Sequence, residues 1–199
     1  VKINTSVALL QDRDVVQVES GDLLFTPYGL SGPPILQLSR QANALLRNGH
    51  HPFIQFTLLP STSVASVRDR IYKNPEKPLN QALIGLIHKR FIIPMIKEIG
   101  IDSPGILLKE VSEEQRERLM DLLYEWKLPI SGSLGFSEAQ ITIGGVRLSH
   151  IDPETMASKT VKGVYFAGEV MDIDGPCGGY NLQWAWSSGF VAGINAARS

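Results

Sequence analysis

Cysteine is nearly absent: Cys177 stands alone in 199 residues. That excludes an internal disulfide, a Cys-x-x-Cys redox pair and a cysteine-based metal site, and it points to a reducing, cytoplasmic setting. Neither sign of charge is in excess, with 19 Lys and Arg against 20 Asp and Glu. The basic residues are scattered rather than gathered into a stripe, so nucleic acid and anionic membrane are not expected partners. No apolar run suits a bilayer, because the longest, residues 79 to 99, is broken by His88, Lys89, Arg90, Pro94, Lys97 and Glu98. His50, His51, His88 and His150 lack the spaced partners that a metal site or a nucleophile–base pair requires, so no metal and no catalytic side chain is assigned. There is no signal-peptide pattern and no opening methionine, and Val1 reads as an internal position of a longer protein. Nor does a strand-Gly-x-Gly-x-x-Gly-helix occur anywhere, so nothing here grips the pyrophosphate of a dinucleotide.

What is present suffices for a core, at 43% hydrophobic and 20% charged residues. The spacing predicts β-rich runs at 6–10, 15–18 and 23–26, with polar turns at 11–14 and 19–22. A helix follows from the Ser31-Gly32-Pro33-Pro34 start to about Arg47, then a strand over 52–59. Ser61 is placed to cap a helix carrying Val64, Val67 and Ile71 on one side. Residues 79–99 predict one buried helix, kinked or divided at Pro94 and ended by Gly100. Ser112-Glu113-Glu114-Gln115 has the form of a capping box, opening a helix whose core face is Leu119, Leu122, Leu123 and Trp126. The Phe25 to Pro34 stretch offers either a ligand-facing helix start or ordinary capping.

The character changes near Pro129, and a domain boundary is expected near residue 136. Beyond it, 139–146 predicts a strand ending in Gly144-Gly145, with the Thr142 hydroxyl two positions before the pair. Val164-Tyr165-Phe166-Ala167 has the composition of a buried parallel strand and delivers Gly168-Glu169 at its C-terminal edge. A carboxylate there suits sugar or ribityl hydroxyls, or else is a solvated loop acid. Gly178-Gly179 opens the last helix, letting a ligand approach the backbone and its first-turn N–H groups, unless the pair is only a connector. Along that helix Ala185, Gly189, Ala192, Gly193 and Ala196 form a small-residue stripe flanked by Trp184 and Trp186, which read as packing residues.

The blocks Thr142 to Val146, Ile151 to Lys159, Gly163 to Asp172 and Gly175 to Gln183 occur in an order that closely resembles the end of FAD-binding flavoproteins of the NAD(FAD)-utilising dehydrogenase type, with aminoacetone oxidase-like and bile-acid reductase-like members. Leu24 to Pro34 is similar to a motif of that family's second domain. The resemblance implies an α/β (α+β) chain: residues 1–136 as a mixed strand-and-helix inserted domain, and 137–199 as the C-terminal part of a Rossmann-like FAD-binding domain. Only the C-terminal half of such a protein would then be present, without its ADP-binding portion. Carried over by position, Glu169 beside Gly168 resembles the acid near the ribityl-pyrophosphate region. Gly178, Gly179, Tyr180, Asn181 and Leu182 match the segment along the flavin pyrimidine edge, and Thr142 with Gly144 and Gly145 matches a turn beside the isoalloxazine.

The expectation is a portion of an FAD-dependent oxidoreductase that exchanges hydride equivalents with a small organic substrate, with NAD(P)H as a possible electron donor. The missing N-terminal FAD-binding portion would come from the same chain or a separate one. This chain alone is expected to be inactive. The alternative is a non-catalytic binding or interaction module derived from a flavoprotein.

Overall fold

The computed structural model describes all residues, Val1–Ser199, as two compact units, Val1–Gly132 and Ser133–Ser199. The chain is mixed α/β.

The first unit is built on a five-stranded antiparallel sheet in the order β3-β2-β1-β4-β5. Its strands are β1 Lys2–Gln11, β2 Asp14–Thr26, β3 Gly29–Ser31, β4 Phe53–Phe56 and β5 Trp126–Pro129. Alternation places Thr5, Val7, Leu9 and Leu23 on the buried face, while Asn4, Ser6, Val18 and Ser20 lie on the other. The turn expected at 19–22 does not exist. Those residues continue β2 because ten-residue β1 pairs with them throughout, Ser6 opposite Ser20 and Asn4 opposite Asp22. Asp22 accepts hydrogen bonds from Asn4 and Lys2, which hold its carboxyl below the usual carboxylate range. β4 is shorter than the 52–59 run, since its pairing with β1 and β5 spans only Phe53 to Phe56.

Five helices belong to this unit: α1 Pro33–Arg47, α2 Val64–Tyr72, α3 Leu79–Leu83, α4 Lys89–Glu98 and α5 Glu113–Tyr124. α1 begins with its two prolines at the first helical positions, where their missing N–H groups cost nothing. Gly32, not Ser31, is its N-cap and no side chain caps it. α2 is capped by Ser63 rather than Ser61, its hydroxyl accepting from Ser66 N–H at 3.2 Å. The single helix expected over 79–99 is two, and the break falls at 84–88 rather than at Pro94. Gly85 takes φ of 80° there, Arg70 donates to the carbonyls of Ala82 and Ile84 that end α3, and His88 Nδ1 accepts from Arg90 N–H to start α4. Pro94 remains inside α4.

The capping box at Ser112 and Gln115 forms in both directions. Trp126 is not on that helix. It opens β5, which packs its ring 5.7 Å from Phe56 and 6.1 Å from Phe91. Phe25 completes the aromatic cluster edge-on to Phe56 and Phe91. Around it Leu9, Leu23, Leu38, Leu79, Met95 and Leu119 are fully buried, each contributing about 1.5–3 kcal/mol on removal from water.

α2 and α5 are also joined at the surface. Arg68 grips Glu117 through both oxygens, Tyr72 donates to Glu113 and Glu117, and Arg116 lies 4.7 Å over the Tyr72 ring. Burial first, then the hydrogen bond to Glu113, pushes the Tyr72 hydroxyl up from 10.0 to about 12. A group whose pKa is raised on folding contributes stability that is complete below its unfolded value and lost as pH rises through the folded one. The chain is therefore expected to weaken between pH 10.0 and about 12, and Tyr72→Phe should flatten that limb in urea melts across the range.

The second unit holds one long helix, α6 Tyr180–Ala196, and loops with short 3₁₀ turns at 136–138, 148–150 and 168–170. The strands expected at 139–146 and 164–167 are absent as strands. Their backbones make only isolated bridges, Val146 with Met171 in parallel and Tyr165 with Ala157 antiparallel, because no neighbouring strand in this unit continues either pairing. Val164 and Ala167 are exposed rather than buried. A small core of Ile151, Met156, Met171 and Ala192 holds the unit, with Trp184, Tyr165 and Phe166 packed on it. Of the small-residue stripe Ala192 is buried and Ala185 half-buried, while Gly193 and Ala196 are exposed. No helix of the chain is long and apolar enough to cross a membrane.

Candidate functional site

The residues singled out in the second unit fall on three adjoining segments. The first, 142–146, lies along the second, 168–172: Val146 N–H donates to Val170 O at 2.8 Å and Asp172 N–H to Val146 O at 3.0 Å. Gly145, at φ of 147°, passes so close to Val170 and Met171 that a side chain there would overlap their backbone. One oxygen of the Glu169 carboxylate accepts the N–H of Thr142. This bond ties the two segments together with a charged acceptor.

The second segment is docked on α6. Gly168 is buried at φ of 71° with the Ala185 side chain 3.6 Å from where its own Cβ would sit. Its N–H donates to Ser188 Oγ at 2.9 Å, and that hydroxyl in turn donates to Trp184 O at 2.6 Å. Ser188 is 1% exposed, so the hydroxyl satisfies a buried backbone donor that would otherwise cost about 1–3 kcal/mol. Sequence reading missed Ser188; its only signal was a hydroxyl next to the small-residue stripe, four residues after Trp184.

The third segment is the start of α6. Gly179 is the N-cap in the left-handed conformation, φ of 94°, preceded by Gly178 at 129°. Asn181 turns back on the loop, its Oδ1 accepting from Gly175 N–H at 2.8 Å and its Nδ2 donating to Gly175 O at 2.9 Å. That side chain fixes the loop, and what this region offers a ligand is backbone. No side chain caps α6, so its first-turn N–H groups point outward with the positive end of the helix dipole behind them. Tyr180 and Leu182 are exposed beside them, and the space next to Gly179 is open.

Thr142 and Glu169 are thus hydrogen-bonded, Gly145 lies against Val170 and Met171, Gly168 lies against Ala185, and Asn181 joins the 178–182 segment to Gly175. Gly144, at φ of 98°, adjoins Gly145 with open space beside it. The Ser31–Pro34 helix start differs: its two prolines remove two of the first-turn donors, so α1 presents fewer N–H groups than α6.

A model of the HI0933-like protein Rossmann domain matches residues 5–195. The chain belongs to the HI0933-like Rossmann-domain family. The match runs through both compact units and does not single out a C-terminal half. Among curated relatives of this HI0933-like chain, the 3-dehydro-bile acid delta(4,6)-reductase of Clostridium scindens is 34% identical over 99% of this chain and 49% of its own. The ribosomal RNA dihydrouridine synthases of Escherichia coli and Haemophilus influenzae are each 34% identical, over 89% and 88% of this chain and 44% and 42% of theirs. This HI0933-like chain spans about half the length of the curated relatives it matches.

Proposed function

We propose that the chain is the flavin-ring side of an FAD-dependent oxidoreductase, with residues 137–199 returning to a Rossmann-like domain and the first unit inserted into it. The observation that carries this reading is the start of α6: left-handed Gly179, an uncapped first turn and open space beside it. A flat ring with a polar edge would suit this end, because its carbonyl edge can accept from backbone N–H groups at a helix start. When bound, the flavin supplies the hydride chemistry. Tyr180, Asn181 and Leu182 would hold its pyrimidine edge by backbone, and the helix dipole would favour negative charge there. Glu169, engaged with Thr142, would fix the 142–146 turn beside the ring, with Gly145 packed against Val170 and Met171 and Gly144 leaving open space.

The names of the relatives support a substrate class. A 3-dehydro bile acid with delta(4,6) unsaturation and a uridine both carry a carbon–carbon double bond conjugated to a carbonyl, and both named activities saturate it. We extend this to the present protein: its substrate would be such a conjugated alkene, which would take up one hydride at the carbon distal to the carbonyl and one proton at the carbon beside it, with NAD(P)H as the source of electrons. The ADP-binding portion would be provided by further sequence or a second polypeptide.

The test uses the longer polypeptide carrying this chain, loaded with FAD, reduced without oxygen and mixed separately with a 3-oxo-4,6-diene steroid and a uridine-containing RNA. One of them should reoxidise the flavin and emerge carrying an added hydride and proton. Tight flavin binding with no reoxidation by either would discard the substrate class, and absence of flavin binding would favour a non-catalytic module.

A further inference from the structure

α6 grips residues 168–175 at two points. Ser188 Oγ accepts the Gly168 N–H at 2.9 Å, and the Asn181 side chain takes both backbone groups of Gly175, accepting at 2.8 Å and donating at 2.9 Å. The spacing is equal on both partners, since Asn181 and Ser188 are seven residues apart on the helix and Gly168 and Gly175 seven apart on the segment. Seven residues make nearly two turns, so both side chains leave one face of α6, about 10.5 Å apart along its axis. Fully extended, the segment between its two glycines would span about 23–25 Å. It is therefore slack between the grips, and chain connectivity alone does not set where Glu169 stands. Met171 and Val146 pack on the small core and draw the segment in, but apolar burial is non-directional. The register comes from the two polar grips.

The 142–146 turn depends on that register, because it is hydrogen-bonded to the segment through Val146 with Val170 and Asp172 and through Thr142 with Glu169. We infer that Asn181 and Ser188 are positioning residues: together they pin 168–175 antiparallel to α6 and so fix the spacing between the Glu169–Thr142 bond and the open helix start at Gly179. This rests on the proposed flavin site and names the two side chains that keep its parts in register. Ser188 suits the role because its hydroxyl is held from both sides, accepting from Gly168 and donating to Trp184 O at 2.6 Å. Asn181 suits it because an amide both donates and accepts, as the Gly175 backbone requires, whereas an ionised carboxylate of the same size only accepts. Both act without touching a ligand: Ser188 is buried, and the Asn181 amide is engaged at both ends.

The test compares Ser188→Ala, Asn181→Asp and the double variant in the longer polypeptide carrying this chain. Asn195→Asp is the control, since Asn195 Nδ2 also donates to a backbone carbonyl, Val191 O at 2.9 Å, but within α6. Without flavin, amide hydrogen exchange should quicken at 168–175 and at Val146 in all three variants and keep the parent rate over 183–195, which shows α6 intact. With FAD, each single variant should bind about tenfold more weakly or worse and shift the visible absorption band of the bound flavin. The double variant should be little worse than either single one, because losing one grip already frees the segment. Asn195→Asp should match the parent in exchange at 168–175, in affinity and in spectrum. Parental exchange in both single variants would overturn the inference. So would quickened exchange with unaltered flavin affinity and spectrum, or fully additive losses in the double variant. A parent that takes up no flavin is a different result: it overturns the proposed function and the flavin role of both side chains with it, while the exchange still shows whether they hold the segment.

Discussion

Replacing Gly32 by alanine is expected to destabilise the first unit by about 3 kcal/mol or more, the largest effect of any single methyl group in the chain. Gly32 sits at φ of 100°, a conformation costly for any residue with a Cβ. It is also where the start of α1 crosses β2: an added Cβ would overlap the carbonyl oxygen of Asp22 and lie 3.3 Å from Leu24 Cγ. Asp22 cannot retreat, because it is paired with Asn4 within the β1–β2 ladder. The helix cannot retreat without exposing Leu38 and Ala42, both buried. Urea unfolding should show a midpoint shift of that size, with Gly29→Ala, which meets nothing within 4 Å, as a milder left-handed control.

The second large effect is expected at Gly145. Alanine there would overlap Val170 O and come 2.9 Å from Met171 C, at a φ of 147° that already disfavours a side chain. The obstacle is again backbone, and the strand-like contact of 145–146 with 170–172 holds the Gly144 turn against the Glu169 segment together with the Thr142–Glu169 bond. Gly145→Ala should therefore separate those segments and release Thr142 from Glu169. In the flavin-loaded protein the expected result is at least tenfold weaker flavin binding with the first unit's unfolding unchanged. Gly144→Ala, with open space around it, should perturb binding less. Equal effects from the two would argue against the close approach as the cause.

The parts of the fold legible in sequence were those dictated by local chemistry. The Ser112 capping box, the proline start of α1 and the glycine start of α6 each appear in the structure because each concerns a few consecutive residues. Distant partners decided the rest. Residues 19–22 have turn composition, yet they are strand because β1 runs alongside them. Pro94 was the obvious breaker within 79–99, but Arg70, from another helix, captures the carbonyls that end α3 at a point where the sequence shows only one glycine. Trp126 has helical spacing from Leu119 and Leu122, but the Phe56 and Phe91 rings draw it into a strand. Strand composition at 164–167 produced only a bridge, since β-structure depends on a neighbour and residues 156–158 are all that pairs with it in this unit.

In the candidate site the same division holds. Gly178 and Gly179 were singled out because glycine lets a ligand approach the backbone, and both have positive φ, as does Gly168 beside Glu169. Side-chain roles were less legible. Asn181 spends its amide on Gly175, and Glu169 has one oxygen on Thr142, bonds that depend on how two loops meet.

The central claim is that the start of α6, from Gly178 to Leu182, receives a flavin ring. The most direct test is equilibrium titration of FAD into the longer polypeptide carrying this chain, followed by flavin fluorescence, with Gly179→Val beside it. Gly179 is left-handed and opens onto free space, so valine should block the ring's approach and distort the first turn. The account predicts saturable binding by the parent protein and a loss of at least a hundredfold in the variant, with the unfolding of the first unit unaltered. Equal affinity in both, or no flavin uptake by the parent, would contradict it.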